Sequence, residues 1–544
     1  MTEPTLGVIS SPLSPNHSSN TRRLSDWLLN LADRYRVLIF IAIVLIYLAG
    51  FNGQWRPEPD AALYLSVGRN LAEGQGYTYH GQPHLLAYPG LPWLWALVYL
   101  VAPDNAMLVA HGLMLLMGFA ALALCYRLFL LHSNRAIAVW VTLGLAISRM
   151  FYRYCFELRS DVPFLLGVLA FLAGFEAIAY PRKKGDAADA PLRKPQPFDW
   201  LLMVGGLGLA VVMRPTMWAL LAAAIFATIR LIFMGRKRWA LATLVIVAAV
   251  GIAIFELNPD RAGDAHRWGQ YEQAVINEAL SGAGLARKAI TENLPGLFDP
   301  AASAAMFGLD LGWGLTVLGS TVAIGIGLSL FRYRFVWGMF YLFTVLMMIA
   351  VLPLDRYFLA VLPLLIYGWW RFLVWVETRF PGRRGKIAFV ALLLIGSGTN
   401  MSKITKWIFE QHQKPLLATY KDARFEHYPE LGSRLQRDIG EKAWVVSPFK
   451  TDRVITYYSR RNVVEPGYID AQQLRLLADV DRAYVLNPDE PTVKTWLEQT
   501  TLKLGEPIWT IGDPETNGWA LYPVSYRFAT TEPTTSTATQ GSQP

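Results

Sequence analysis

Between Val37 and Ile404 the chain returns again and again to apolar stretches with few or no internal charges, separated by short polar segments. Crossing roughly 30 Å of hydrocarbon takes about 20 apolar residues in a helix, and that length recurs along this region. Candidate spans begin at Val37, Asn105, Ala136, Val162, Trp200, Met217, Trp239, Leu311, Phe335, Tyr357 and Ile387, with a further apolar stretch at Leu85–Val101. The chain therefore reads as a polytopic α-helical membrane protein, with about 11–13 transmembrane helices by hydropathy. Composition agrees: 17% of residues are charged and 53% hydrophobic, where a soluble chain is charged at about a quarter of its positions.

The net charge of +9 lies mostly in short loops. Arg22, Arg23, Arg34 and Arg36 place the N-terminus inside. Arg182, Lys183, Lys184, Arg193 and Lys194, then Arg236–Arg238, Arg332 with Arg334, and Arg383, Arg384 and Lys386 place their loops on the same side. The positive balance thus reports orientation and membrane lipids, and calls for no nucleic acid. This topology puts the loop around Asp60, the segment Arg153–Asp161, the loop Leu257–Asp310, the turn Leu354–Arg356 and everything after Ser402 outside. Alternation holds if Leu85–Val101, broken by Pro89 and Pro92, is a juxtamembrane or re-entrant segment. Cys125 and Cys155 have no disulfide or zinc spacing and read as packing residues.

The expected organisation is a tail over 1–35, a membrane domain over 36–405 with external loops 52–104 and 257–310, an external soluble domain over 406–527, and a disordered tail over 528–544. The soluble domain reads as α/β, with β-rich runs at Ala443, Val454, Ala483 and Trp519 and helix-like stretches at Leu474–Ala478 and Thr492–Gln499. It carries no Gly-rich phosphate loop of either nucleotide-binding type.

Chemistry concentrates in the outer loops. Glu58 and Asp60 flank Pro59 just past the first span, and a carboxylate beside hydrocarbon is costly unless solvated, paired or used. Asp60 is followed by Tyr64, Asn70, the run Glu73-Gly74-Gln75-Gly76-Tyr77, and Tyr88-Pro89-Gly90-Leu91-Pro92. A second acidic stretch, Glu157–Gly167, opens an outer helix end, and Leu354–Leu365 places Arg356 and Tyr357 before a Pro-containing helix. Arg356, Arg159 and Arg153 suit phosphate, which a guanidinium binds in bidentate fashion, and also suit snorkelling to headgroups; for Arg356 the phosphate reading is favoured. Asp161 is placed to orient Arg159, to position a sugar, or to ligate a metal with Glu157. Between Asp264 and Asn293, Trp268, Tyr271, Val275, Ile276 and Leu280 fall at near-helical spacing and suggest an interfacial amphipathic segment.

The order Asp, Tyr, Gly-x-Gly, Tyr-Pro, then the second acidic motif and the late Arg-Tyr motif, resembles the GT-C membrane glycosyltransferases. The likeness is to bacterial relatives of the protein O-mannosyltransferases and of the aminoarabinose transferase that modifies lipid A. It spans about Val37 to Val376, and the chain departs from it in having Ala61 where many relatives carry a second acid. The resemblance implies transfer of a sugar from a polyprenyl-phosphate donor to a lipid, glycan or protein acceptor at the outer face, with inversion. It implies Asp60 as general base; Arg356, Arg159 and Arg153 are the candidates for the donor phosphate, and Glu58, Tyr64, Tyr88, Asp161 and Tyr357 those around the substrates. A bacterial cytoplasmic membrane suits it best. No compact His/Cys/carboxylate cluster is present, so no cofactor is obligatory and no metal ligands are assigned, although a divalent cation is compatible. The competing readings are a transporter or flippase of lipid-linked glycans, which would carry ionisable residues nearer mid-bilayer, and a family member without catalysis acting as a scaffold.

Overall fold

A computed structural model describes residues 23–53, 55, 58–84, 88–180, 195–256, 287–298, 313–350, 353–380, 382–413, 426–448, 451–466, 483–500, 502–513 and 518–526. Helices form where the apolar runs lie, because in lipid a backbone satisfies its polar groups within its own helix. They are α1 (Leu24–Arg34), α2 (Arg36–Gly50), α3 (Pro59–Ala72), α4 (Gly90–Val101), α5 (Ala106–His132), α6 (Arg135–Ala146), α7 (Arg149–Tyr154), α8 (Asp161–Ala179), α9 (Pro197–Met213), α10 (Met217–Phe233), α11 (Lys237–Glu256), α12 (Trp313–Tyr333), α13 (Phe335–Ala350), α14 (Leu362–Arg379) and α15 (Arg383–Gln413). Among the described residues, Pro103–His132, Asp161–Ala179, Thr316–Tyr333 and Arg383–Gln413 are each long and apolar enough to cross a membrane. Shorter apolar helices, α2, α4, α6, α9, α10 and α13 among them, pack around these.

Within the apolar stretch 85–101, the described residues 88–101 form α4, 12 residues long, which at 1.5 Å per residue reaches about 18 Å. It lies along α3, where Gly68 lets the two helices meet: a Cβ there would sit 2.7 Å from Trp95 and 2.9 Å from the Pro92 carbonyl. At the other end of the membrane part, α15 runs on past Ile404 to Gln413, so a domain boundary near 405 falls inside a continuous helix. Its polar final turns keep helical hydrogen bonding after the apolar pattern stops.

α8 is the central helix. Every residue from Asp161 to Ala179 except Leu166 is buried, and its contact with α9 is backbone to backbone. A Cβ on Gly174 would lie 2.5 Å from the Asp199 carbonyl, and one on Gly167 would lie 2.7 Å from the Ala210 nitrogen. Larger residues at these positions would force the helices apart.

A hairpin of two-residue strands, β1 (Thr78–Tyr79) with β2 (Gln82–Pro83), lies between α3 and α4. The C-terminal part is α/β. It comprises α16 (Tyr428–Asp438), β3 (Trp444–Val446), α17 (Asp452–Ser459), β4 (Asn462–Val464), β5 (Ala483–Leu486), α18 (Pro491–Glu498), β6 (Leu502–Leu504), β7 (Trp509–Ile511) and β8 (Trp519–Tyr526). The sheet order is β4-β3-β5-β8-β6, with β7 also on β8. β3 pairs in parallel with β4 and β5, Val445 standing opposite Val463 and Tyr484, while β8 runs antiparallel to its three partners. The β-rich reading at Val454 is corrected: VITYY is the body of α17, the crossover that parallel β3 and β4 require. Its β-branched and aromatic residues favour a strand by propensity, but Val454, Ile455 and Thr456 are buried and packing decides. The helix-like stretch at 474–478 and residues 264–286 of the amphipathic segment lie outside the described residues.

Candidate active site

Pro59 occupies the first turn of α3, where its fixed φ suits helix initiation and its missing N–H costs nothing. It also holds Glu58 extended, at φ −125° and ψ 135°. Asp60 therefore emerges in the first helical turn, where backbone N–H groups favour a negative charge.

Three guanidinium groups converge on the Asp60 carboxylate. Arg356 Nη1 donates to Oδ2 at 2.5 Å, Arg159 Nη2 to the same oxygen at 3.5 Å, and Arg453 Nη1 to Oδ1 at 3.2 Å. Arg356 comes from a 3-10 turn, Asp355–Ala360, that precedes α14, and Arg159 from the turn leading into α8. The Nε groups of Arg356 and Arg159 are buried and make no hydrogen bond among the described residues.

Behind this cluster, acids and bases alternate. Arg159 Nη1 donates to Glu157 at 3.1 Å, Arg153 Nε donates to the other Glu157 oxygen at 2.5 Å, and Arg153 Nη2 reaches Glu58 at 3.3 Å. Asp161, the first residue of α8, accepts from Arg214 and lies 3.6 Å from Arg159 Nε. Glu157 and Asp161 thus bracket Arg159 from a turn and a helix start, not from one helical face. Arg214 also lies over the Tyr357 ring, 5.0 Å from its centroid. Buried charges persist only when paired and hydrogen-bonded, and each of these acids has a guanidinium partner. Burial, with Glu157 as the next contributor, pushes the Glu58 carboxyl up to about 7 despite Arg159 and Arg153.

Arg453 comes from α17 of the C-terminal domain, which packs on α3. Arg69 Nη1 donates to the Tyr457 carbonyl at 3.1 Å, the Tyr99 and Tyr457 hydroxyls lie 3.2 Å apart, His80 meets Thr456 Oγ1 at 3.2 Å, and Arg460 pairs with Glu73 at 3.0 Å. The Trp55 ring closes the seam against Tyr457 and Tyr458. Beside it lies a cavity of 750 Å³ with a polar lining that includes Arg69, Asn70, His80, Trp444 and Asn462.

No family model and no curated protein sequence matches the chain. Solved structures do match. ArnT from Cupriavidus metallidurans bound to undecaprenyl phosphate superposes with a TM-score of 0.55 at 13% identity, over 90% of this chain and 98% of that one. The Archaeoglobus fulgidus oligosaccharyltransferase tethered to an acceptor peptide gives 0.55 at 12% identity, over 87% and 72%. The same archaeal enzyme in complex with Zn and sulfate gives 0.51 at 14%, over 89% and 73%. The chain has the GT-C fold.

On this GT-C frame, Asp60, Arg159 and Arg356 meet in space, and Arg153 stands one carboxylate away, engaged by Glu157 and Glu58. Tyr64 lies one turn along α3 from Asp60 with its hydroxyl against Ser160. Tyr357 lies beneath Arg214 and Arg356, and Tyr88 is half-buried just ahead of α4. Sequence reading missed Arg214 and Arg453. A charged residue in the three-residue turn between two apolar helices was a usable signal for Arg214. Arg453 carried none, since only the docking of α17 on α3 brings it to Asp60. His84 is buried and His80 half-buried, and desolvation holds their imidazoles down at about 4 and about 3 respectively. Among the described residues no group of three or more His, Cys, Asp or Glu gathers to hold a metal.

Proposed function

We propose that this protein transfers a sugar from a polyprenyl-phosphate donor to an acceptor at the outer face of the membrane, with Asp60 as general base. The acceptor O–H gives its proton to Asp60. Its oxygen forms a bond to the anomeric carbon from the side opposite the phosphate, and the bond from that carbon to the phosphate oxygen breaks with its electron pair on the departing polyprenyl phosphate. Inversion follows from the single displacement.

The observation that carries this reading is the sharing of Asp60 Oδ2 by Arg356 and Arg159, each with a further buried N–H that makes no hydrogen bond among the described residues, that of Arg159 facing Asp161 at 3.6 Å. A guanidinium–phosphate contact is charge-assisted and worth about 1.5–3 kcal/mol. In the ligand-free state the carboxylate keeps these cations aligned; phosphate takes over their donors and releases Asp60 for proton transfer. Arg153 sits behind them and reaches the phosphate only by leaving Glu58. Asp161 and Tyr357, both against Arg214, and Tyr64 and Tyr88 on the α3–α4 side shape the sugar site. The polar cavity along α3 and the external domain gives an acceptor its approach.

The fold of ArnT bound to undecaprenyl phosphate supports a lipid-phosphate donor, and that of the oligosaccharyltransferase tethered to an acceptor peptide supports an external acceptor site. Arginines supply the phosphate charge in this scheme, and a divalent cation has an accessory role at most. A C-terminal domain outside fits the loop charges, and a bacterial cytoplasmic membrane suits the family resemblance.

The test is consumption of undecaprenyl-phosphate-linked pentoses, hexoses and aminosugars by the purified full chain, with Asp60→Asn in parallel. Consumption of one donor that disappears in Asp60→Asn is expected. Equal turnover by the variant, or no consumption and no binding of any donor, overturns the reading.

A further inference from the structure

The two oxygens of Asp60 face different parts of the molecule. Oδ2 takes Arg356 and Arg159, from turns at the outer ends of membrane helices, whereas Oδ1 takes Arg453, from the external domain. The cations also differ in freedom. The Arg159 and Arg356 side chains are 10% and 20% exposed, while that of Arg453 is 36% exposed, so Arg453 alone can swing into water with little loss of packing. Asp60 itself is 31% exposed with Arg453 in place, so water can approach a base standing beside a bound, activated sugar, and the guanidinium on Oδ1 is what stands between that water and the proton-accepting oxygen.

Taking Asp60 as the base, we propose that Arg453 is a latch on it: held on Oδ1 by the docked C-terminal domain, it occupies the oxygen that would take a proton from water until the acceptor displaces it. Arg453 is on this account a positioning residue, acting through Asp60.

The structure supplies a second resting place for the guanidinium. Asp452, its neighbour on α17, and Glu465 both act on Arg453 electrostatically. Asp452 is 8% exposed, and its Oδ1 lacks a hydrogen-bond partner among the described residues. Burial and the adjacent Glu465 raise its carboxyl to about 6, the mark of an acid pair short of positive charge. Thr456, Tyr457 and Arg460 fix α17 and its end to His80, Arg69 and Glu73, so on this account movement between the acids falls to the Arg453 side chain. Partly exposed ion pairs are weak, so an acceptor group arriving at Oδ1 can break this one.

The unmasked reaction is hydrolysis. Water gives a proton to Asp60, its oxygen bonds to the anomeric carbon, and the bond to phosphate breaks with the electron pair leaving on polyprenyl phosphate. Loss of the latch therefore raises hydrolysis without acceptor, and this rate needs no knowledge of the acceptor.

The experiment measures hydrolysis of the undecaprenyl-phosphate sugar consumed in the donor panel, with no acceptor present, for the full chain and four variants. Arg453→Ala is expected to hydrolyse faster by about tenfold or more, a part of the roughly 10²–10⁴ that a positioned base is worth. Arg453→Lys should stay near the starting rate, and Asp60→Asn/Arg453→Ala should fall to the Asp60→Asn level. Glu465→Gln, which weakens the open position, should hydrolyse more slowly, a direction opposite to Arg453→Ala that general damage to the fold would not produce. An unchanged or lower rate in Arg453→Ala, with Asp60→Asn inactive, overturns the latch and leaves the glycosyltransferase reading standing. If Arg453→Ala does not fold, the Lys and Gln variants decide: a Glu465→Gln rate equal to or above the starting rate overturns the proposal. Full hydrolysis by Asp60→Asn overturns the reading beneath it.

Discussion

Arg356 Nη1 lies 2.5 Å from Asp60 Oδ2 across 296 residues of sequence, so the turn before α14 and the first turn of α3 form one functional element. The external end of the bundle is held together at the place where the chemistry is proposed, and each half of this pair can be tested separately.

Asp60→Asn keeps the size and hydrogen-bonding shape of the side chain but removes its capacity to accept a proton. Transfer should fall by about 10²–10⁴, while equilibrium binding of undecaprenyl phosphate persists. Lost binding alongside lost transfer would assign Asp60 to holding the site together.

Arg356→Ala removes a charge-assisted donor worth about 1.5–3 kcal/mol, or roughly 10–150-fold in donor KM at 1.4 kcal/mol per tenfold. The effect should be on KM for the donor more than on acceptor use. A donor titration at saturating acceptor measures it, and an unchanged donor KM counts against a phosphate role.

Asp161 is 3% exposed and Arg214 6% exposed. Breaking such a pair leaves an uncompensated buried charge and costs about 3–5 kcal/mol. Arg214→Met should therefore lower the melting temperature in detergent, and Arg214→Met with Asp161→Asn should recover much of the loss. Equal destabilisation by the single and double variants would show that Arg214 acts through packing.

Glu58 supplies a pH signature. Its folded-state carboxyl is raised from 4.5 to about 7, so between those values the folded chain holds a proton that the unfolded chain has released. The associated stability is complete below about pH 4.5 and is lost as pH rises through about 7. Glu58→Gln should flatten the fall in melting temperature over that window. Thermal unfolding of both proteins at pH 5 and pH 8 reads it, and parallel profiles would place the titration elsewhere.

Chelation separates arginine-borne from metal-borne charge. With Arg356 and Arg159 on the phosphate, EDTA treatment should leave most of the transfer rate, and added Mg²⁺ should change it little. A rate abolished by EDTA and restored by Mg²⁺ would make the cation part of the site.

The membrane helices were legible because a span needs an uninterrupted apolar run, and α5, α8, α9, α10 and α13 start within about three residues of their expected positions, within the ordinary uncertainty of helix ends. The spacing of the spans was enough to set Asp60, Asp161 and Arg356 at helix ends, and the structure brings those three ends together. What escaped depends on contacts between distant segments. Arg453 sits in a soluble-looking stretch, VITYY misled by its β-branched and aromatic residues, and the site needs that helix packed on α3. Sequence showed Glu157 and Asp161 four residues apart, yet the turn into α8 sets them on either side of Arg159.

The burial of α8 has a consequence for how the protein sits in different membranes. A helix surrounded by protein has no hydrophobic length of its own to match to the lipid, so thickening or thinning of the bilayer is absorbed by the peripheral helices. Asp161 at its outer end, and the arginines keyed to it, accordingly keep their height relative to Asp60 whatever the acyl chain length around them.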